Sequence, residues 1–176
     1  PSRSLRLLSE GCIRILIFVG YVAAISLMED SKRLYMYHGA EHKCINCIER
    51  GLELNVKNVK RSSKVHKRCG TSFMLFVMLV GIILLFFVRV DSPVMRVVVR
   101  IALLPVIAGI SYELIKWAGR SDNMIVNLLS KPGLWLQGLT TKEPDEDMIE
   151  VAICSVEEIF DWKAYRESIF NRDGGS

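Results

Sequence analysis

The stretch YHGAEHKCINCIE, residues 37–49, concentrates side chains that bind metal ions and move protons. His38 and His42 are four residues apart, so a helix would place both imidazoles on one face. Glu41 completes the pattern H-x-x-E-H, the inverted form of the zinc-hydrolase motif. In this pattern two imidazoles bind one metal ion, and the glutamate takes a proton from the water on that metal. We therefore predict a divalent metal ion, zinc first, with Glu41 as general base.

Two further residues extend the predicted ligand set. On a helical projection Glu49 lies about 20° from His38, so it is predicted to be a ligand or to orient one. His66, in VHKRCGTSF, would complete a three-histidine site that keeps an open position for water. Arg68 beside it is predicted to stabilise negative charge that develops on the substrate. Each of these residues also has an ordinary structural alternative. His38 and His42 would lie on a solvated helix surface, His66 would be a solvated loop histidine, and Arg68 would be one of the basic residues that flank a membrane span.

A rival zinc site uses the cysteines. Cys44-x-x-Cys47 and His66-x-x-Cys69 together resemble a zinc ribbon in which histidine replaces one cysteine. A closed site of this kind is structural rather than catalytic. If residues 38–49 form one helix, however, Cys44 and Cys47 point away from the histidine face, and the two sites would compete for His66. We rank this zinc ribbon second to the three-histidine site. Cys69 is either an additional metal ligand or a small buried thiol.

The surrounding sequence is typical of an all-α integral membrane protein. The chain has 176 residues, 51% of them hydrophobic, and residues 69–88 carry no charge. A helix needs roughly 20 apolar residues to cross a bilayer core, so this run is predicted to span a membrane. We predict a single membrane domain, 1–176, whose parts are spans at 11–28, 69–88 and 97–117, a polar helix-loop at 29–68, an interfacial segment at 124–141 that breaks at Pro132, and an acidic helix at 143–170.

Charge predicts the topology and the partners. Residues 29–68 contain ten basic and five acidic residues, so the positive-inside rule places this loop, with the metal cluster, in the cytoplasm. The third span then returns the C-terminus to the cytoplasm of a multi-pass cell-membrane protein. The expected partners are the lipid bilayer and a membrane protein or lipid-like substrate. Nucleic acid is not expected, because the basic run KNVKRSSKVHKR has no aromatic residue to stack on bases.

Glu113 lies in the third predicted span, where a carboxylate is costly unless it is paired, protonated or bound to a metal. It is therefore a possible additional metal ligand, or part of an ion path. The alternative is an ordinary ion pair with Lys116 or Arg68.

Several blocks of the sequence resemble one known family. YHGAEHK with Glu49, HKRCGTSF, PVIAGISYELIK and PGLWLQGLTTKEPDEDMIEVAI are similar to the YqhQ-like family of bacterial integral membrane proteins, a domain of unknown function described as a predicted metal-dependent enzyme. The resemblance implies a membrane location and metal dependence. It also implies that Cys44 and Cys47 stand where the family accepts other residues, which disfavours the ribbon. The family's motif positions correspond to His38, Glu41, His42, Glu49, His66, Arg68, Cys69, Tyr112 and Glu113.

Family members usually carry an additional glycine-rich N-terminal part, which this sequence lacks. Because the first residue is Pro1 rather than methionine, we expect the chain to be a fragment. The missing part is a possible source of further ligands.

The function predicted from these observations is a membrane-embedded metal-dependent enzyme, a hydrolase that acts at the cytoplasmic membrane face through the H-x-x-E-H site. Two alternatives stay open. One is an ion or metal transporter or channel whose path is lined by histidine and glutamate. The other is a non-catalytic membrane scaffold with a structural zinc site.

Overall fold

The computed structural model describes residues 3–88, 90, 92–121 and 123–173, and the predicted connections at Arg89, Asp91 and Asp122 lie outside the described residues, as does Pro1. Within the described part every regular element is an α-helix, which confirms the predicted all-α class. The helices are α1 (Arg3–Ser26), α2 (Glu29–Glu49), α3 (Val56–Arg61), α4 (Gly70–Phe87), α5 (Pro93–Arg120), α6 (Met124–Thr140), α7 (Glu146–Ile159) and α8 (Trp162–Asp173).

Three of these helices are long and apolar enough to cross a membrane. They are Leu5–Ser26 within α1, Gly70–Phe87 and Pro93–Arg120. They occur where long apolar runs of the sequence, with few or no charges, predict spans.

The predicted break at Pro132 is wrong. Helix α6 is continuous from Met124 to Thr140 with Pro132 inside it. A proline removes one backbone hydrogen bond and strains the preceding turn, but a helix can continue through it with a local bend. Pro105 is likewise contained within α5.

The chain divides into two compact units. Unit 1 contains the chain up to Ala24 together with Lys67–Gln137, and unit 2 contains Ile25–His66 and the chain from Gly138 onward. In unit 1, Arg100 of α5 lies 3.7 Å from Glu10 of α1, and Gln137 donates a 2.6 Å hydrogen bond to the hydroxyl of Ser72. Unit 1 contains α4, α5 and most of α1, which are the long apolar helices.

Unit 2 is built around α2, α3 and α7. Asp145 begins α7 by accepting a 2.9 Å hydrogen bond from the backbone N–H of Met148, as an N-cap does. Apolar residues of α2 recur at helical spacing and pack against α7, which buries a continuous stripe. The resulting core consists of Ala40, Cys44, Cys47, Ile48, Leu54, Val59, Ile149 and Trp162.

Gly39 marks the closest approach of α2 to the chain that follows α6. The backbone N–H of Lys142 donates a 2.9 Å hydrogen bond to the carbonyl of Tyr35, and a Cβ at Gly39 would overlap the carbonyl oxygen of Lys142. Because that oxygen belongs to the backbone, it cannot swing aside as a flexible side chain would.

Gly39→Ala should therefore lower the free energy of unfolding by about 2 kcal/mol, as overpacking does. Thermal unfolding of the full chain in mild detergent, followed by circular dichroism, measures this change. Gly138→Ala is the matched control, because no atom lies within 4 Å of a Cβ there. The control should be neutral or stabilising by up to about 1 kcal/mol, since alanine favours helix. Equal stability of the two variants would contradict the close packing at Gly39.

Candidate metal centre

One polar face of α2 holds the segment that carries His66. Lys43 and Asn46 lie one turn apart on this face, and each donates two hydrogen bonds from its side chain to backbone carbonyls of the segment. The four acceptors are the carbonyls of Lys60 (2.9 Å), Ser62 (2.9 Å), Ser63 (2.8 Å) and Val65 (3.0 Å). The carbonyl of Lys60 belongs to the last turn of α3 and the other three to the irregular segment that follows it, so these bonds fix the path of the chain from α3 to His66.

Lys43 is the most buried charge of this face. Its side chain is only 4% exposed, and its Nζ lies 2.6 Å from a carboxylate oxygen of Glu143. Lys64 approaches the other oxygen of the same carboxylate at 3.6 Å. A buried ammonium needs such partners because losing hydration without them is costly. The sequence prediction included neither Lys43 nor Asn46, because the contacts that give them a role join residues distant in the chain.

The two histidines of the H-x-x-E-H pattern are held in the same way. His38 Nδ1 lies 2.9 Å from the backbone carbonyl of Thr140, and His42 Nδ1 lies 2.9 Å from that of Lys64. A carbonyl oxygen only accepts, so in both rings Nδ1 carries the proton and donates it. The neutral ring then has its lone pair on Nε2. Histidines that bind metals through Nε2 are fixed by a hydrogen bond of this kind.

The three imidazoles of the chain lie together in unit 2. The ring centroids of His38 and His42 are 4.3 Å apart with an interplanar angle of 61°, and those of His42 and His66 are 6.0 Å apart at 51°. With metal–nitrogen bonds of about 2.0–2.1 Å, two imidazoles on one tetrahedral ion have centroids roughly 5 Å apart. The two observed separations lie on either side of that value.

Glu49 holds the third ring. Its Oε2 lies 3.0 Å from Nε2 of His66, so the carboxylate accepts a hydrogen bond from that nitrogen. Carboxylates orient metal-binding imidazoles by this contact. His42 and His66 are 3% and 9% exposed, so both rings are fixed by packing as well as by hydrogen bonds.

The side chain of Glu41 is exposed and, like that of Glu49, lines a groove between α2 and α7. Its role as general base stays a prediction.

The predicted site residues Arg68 and Cys69 belong to unit 1. Arg68 is exposed, and its side chain packs so closely on Gly119 that a Cβ there would overlap it. Cys69 is the N-cap of α4, and its sulfur accepts a hydrogen bond from the backbone N–H of Thr71 at 3.4 Å. The catalytic role of Arg68 and the ligand role of Cys69 stay predictions.

Glu113 is an exposed ion-pair partner of Lys116, at 3.1 Å, and Tyr112 beside it has the same ammonium 5.8 Å from its ring centroid. These contacts are those of the ordinary ion pair that the sequence left open as an alternative to a metal or ion site.

A family described as a protein of unknown function (DUF1385) matches residues 2–162. The chain belongs to this DUF1385 family. It is also 43% identical, over 159 residues, to the uncharacterized protein YqhQ of Bacillus subtilis (strain 168). That match covers 90% of this chain and 50% of the relative, so the chain spans about half the length of the relative. No solved structure matches.

The resemblance to YqhQ-like proteins is thus confirmed. Because the family description names no activity, it assigns no role to the histidines of this DUF1385 chain. Their chemistry has to be argued from the contacts described above.

Cys44 and Cys47 of the DUF1385 chain lie in the apolar core of unit 2. Both are completely buried, and Cys47 donates a hydrogen bond of 3.4 Å to the carbonyl of Glu53. Burial, then the neighbouring Cys47 and the charge of Glu41, raise the pKa of Cys44 to about 12. Burial also raises the pKa of Cys47, and this outweighs the opposing effects of Ser62 and Arg50. Within the described part of the chain, Cys44 and Cys47 belong to no group of three or more possible ligand atoms within 4.8 Å of one another, which favours two packed thiols over a zinc ribbon.

Maleimide labelling of the native chain at pH 8 should therefore leave Cys44 and Cys47 unmodified, because neither thiol is exposed or ionised. Cys154, which is exposed on α7, should react within minutes and serves as the internal control. Peptide mass spectrometry before and after denaturation measures the difference. Rapid native labelling of Cys44 would contradict its place in the core.

The ion pair of Glu143 predicts a pH dependence. Burial raises the pKa of Glu143, but the hydrogen bond from Lys43 and the charges of Lys43 and Lys64 lower this pKa by more than burial raises it. The pKa of Glu143 therefore lies below its ordinary value of 4.5. A carboxyl with a lowered pKa stabilises the fold above its unfolded pKa, and this stability is lost as pH falls through the folded pKa.

Glu143→Gln should thus be less stable than wild type at pH 7, and the difference should vanish as pH falls below 4.5. Because the Glu143 side chain is 62% exposed, the difference should stay below about 1 kcal/mol. Melting temperatures measured from pH 7 down to about pH 3.5 test this, with Glu150→Gln on the exposed face of α7 as control. A pH-independent difference would contradict the charge interaction.

Proposed function

We propose that His38, His42 and His66 bind one divalent metal ion, zinc by preference, and that the protein is a membrane-embedded metal-dependent hydrolase. The observation that carries the proposal is the shared tautomer of His38 and His42. Backbone carbonyls at 2.9 Å hold the proton of each ring on Nδ1, which leaves the same nitrogen, Nε2, in the form that metals bind.

The ligand nitrogens of His38 and His42 lie within 4.8 Å of each other, and in this proposal His66 is the third ligand through Nδ1, because Glu49 holds its Nε2. Three imidazoles are the protein ligands of catalytic zinc in its open form, whereas a structural site takes four protein ligands. Imidazole nitrogen also suits copper, nickel and iron, so the geometry supports a transition metal over magnesium or calcium. A divalent ion in this place supplies Lewis acidity, since it polarises a carbonyl or phosphoryl oxygen and makes water more acidic.

The two carboxylates of α2 take separate roles in this proposal. Glu49 accepts the hydrogen bond of His66 Nε2 and keeps that ring oriented. Glu41 is exposed and lines the groove, so it can meet both solvent and a bound substrate. Glu41 is therefore the proposed general base, and Glu49 is a positioning residue.

The location proposed for the site is the cytoplasmic membrane face. This rests on the basic residues of segment 29–68, which carries the three histidines, and on the positive-inside rule. A site on the segment that joins two apolar helices is suited to a membrane protein or a lipid-like substrate.

Hydrolysis by the full chain in nanodiscs, loaded with zinc, tests the proposal. The substrates are a fluorogenic peptide, p-nitrophenyl acetate and bis-p-nitrophenyl phosphate. We expect chelator-sensitive turnover of one class, with kcat reduced about 100-fold or more in Glu41→Gln, because general bases contribute this much. The variant should still bind zinc. Glu29→Gln, exposed at the start of α2, is the control and should keep full activity.

Two results would contradict the hydrolase. One is turnover that survives both chelation and Glu41→Gln. The other is ion flux across liposomes that is insensitive to chelator, without any hydrolysis, which would favour the transporter.

A further inference from the structure

Helices α2 and α7 leave an open groove between them on the surface of unit 2. The groove has a volume of about 670 Å³, within the range of ligand sites. We call it the α2–α7 groove and define it by its lining residues, Tyr37, Glu41, Ile45, Ile48, Glu49, Val151, Ala152, Ser155, Val156, Ile159, Phe160 and Tyr165.

The lining residues form two helical stripes. On α2 they recur every four residues from Tyr37 to Glu49, and on α7 they follow the same spacing from Val151 to Ile159. The α2 stripe is about 18 Å long at 1.5 Å per residue. At one end Phe160 and Tyr165 contact each other, with ring centroids 5.5 Å apart. Two parallel stripes of this length form a slot for a third helix rather than a compact pocket for a small molecule.

The walls of the groove are apolar and open to solvent. Val151 is 51% exposed, Ile159 85% and Phe160 41%. Such residues in contiguous patches mark surfaces that bind another molecule.

The charge of the groove selects among occupants. Its charged lining side chains are Glu41 and Glu49, and both are acidic. Anionic lipid headgroups would meet like charge here, whereas a basic side chain would meet opposite charge.

We propose that the α2–α7 groove binds an amphipathic helical segment of another protein, with the apolar face of the segment against α7 and a lysine or arginine beside Glu41 and Glu49. The stripe spacing requires apolar residues at positions i, i+4 and i+7 of that segment. The groove shares Glu41 and Glu49 with the proposed metal site, so the test relies on variants of α7, which contributes no proposed ligand or general base.

Fluorescence anisotropy with a synthetic helix tests the proposal. The probe is a labelled 14-residue peptide, about 21 Å as a helix, with leucine at i, i+4, i+7 and i+11 and lysine at the edge of that face. It is added to the full chain in nanodiscs of zwitterionic lipid, with empty nanodiscs as baseline. We expect binding at least about tenfold tighter than to empty discs, and about tenfold weaker binding when the lysines are replaced by glutamate.

Two variants of α7 assign any binding to the groove. Ile159→Glu places a charge against the apolar face of the peptide and should weaken binding by about tenfold or more. Since Ile159 is already 85% exposed, the substitution should not unfold the chain. Cys154→Glu lies on the same helix outside the lining and is exposed, so it should stay within about twofold of wild type.

Four results would overturn the proposal, three of them in the peptide assay. In the first, the peptide binds empty discs as tightly as discs that contain the chain. In the second, Ile159→Glu and Cys154→Glu weaken peptide binding equally. In the third, the peptide does not bind, but a long-chain amine does, and Ile159→Glu abolishes the binding of the amine. A dimer of the full chain that dissociates in Ile159→Glu, again without peptide binding, would assign the groove to a second copy and overturn the proposed partner. Metal content should be unchanged in every variant, so failure here is distinguishable from failure of the metal site.

Discussion

Lys43→Met should lower the free energy of unfolding by about 3 kcal/mol, because it leaves two backbone carbonyls without their donor, at roughly 1–3 kcal/mol each. In wild type the ammonium donates to the carbonyls of Lys60 and Ser62 and pairs with Glu143. Methionine has a similar volume and is apolar, so it fills the space without donating. Two carbonyls then lose their donor, and Glu143 loses its nearer cation.

Thermal unfolding of the full chain in mild detergent measures the effect. Lys57→Met in α3 is the control, since Lys57 is exposed and its substitution should stay within about 0.5 kcal/mol. The Lys43 variant should also lower the affinity for zinc, because the segment before His66 is held by this side chain. If Lys43→Met were as stable as the control, the account of how α2 fixes His66 would be wrong.

His42→Ala should reduce zinc affinity at least about 100-fold, a larger loss than that of a residue that only orients a ligand. The ring of His42 lies close to both others, with centroid separations of 4.3 Å to His38 and 6.0 Å to His66. Zinc that binds only the folded chain stabilises it by about 2.7 kcal/mol at a hundred times the dissociation constant. The variant should lose this stabilisation as well as the metal.

Zinc titration followed by competition with a chromogenic chelator measures the affinity, and melting temperatures with and without zinc measure the stabilisation. Cys44→Ala is the matched control on the same helix. It should lower the melting temperature of the metal-free chain by opening a small cavity, while zinc affinity stays unchanged. Loss of zinc in Cys44→Ala with retention in His42→Ala would instead support the ribbon.

Much of the fold is encoded locally and could be predicted. The helices that are long and apolar enough to span a membrane could be predicted because length and hydropathy are properties of neighbouring residues in the sequence. Helical spacing also placed Glu49 on the face of His38 and His42, and Glu49 does contact His66.

Other features depend on contacts between residues far apart in the chain. The carbonyls that hold His38 and His42 come from Thr140 and Lys64, and no spacing rule identifies them. The direction of Glu41 into the α2–α7 groove depends on where α7 packs. The continuity of α6 through Pro132 was missed because helix propensity is a weak guide where packing supports the helix.

Zinc K-edge X-ray absorption of the purified full chain tests the central claim most directly. The account predicts about one zinc per chain with at least two imidazole nitrogens at about 2.0–2.1 Å, and loss of that shell in His42→Ala. A spectrum with two or more sulfur atoms at about 2.3 Å, or a chain that binds no transition metal, would contradict it.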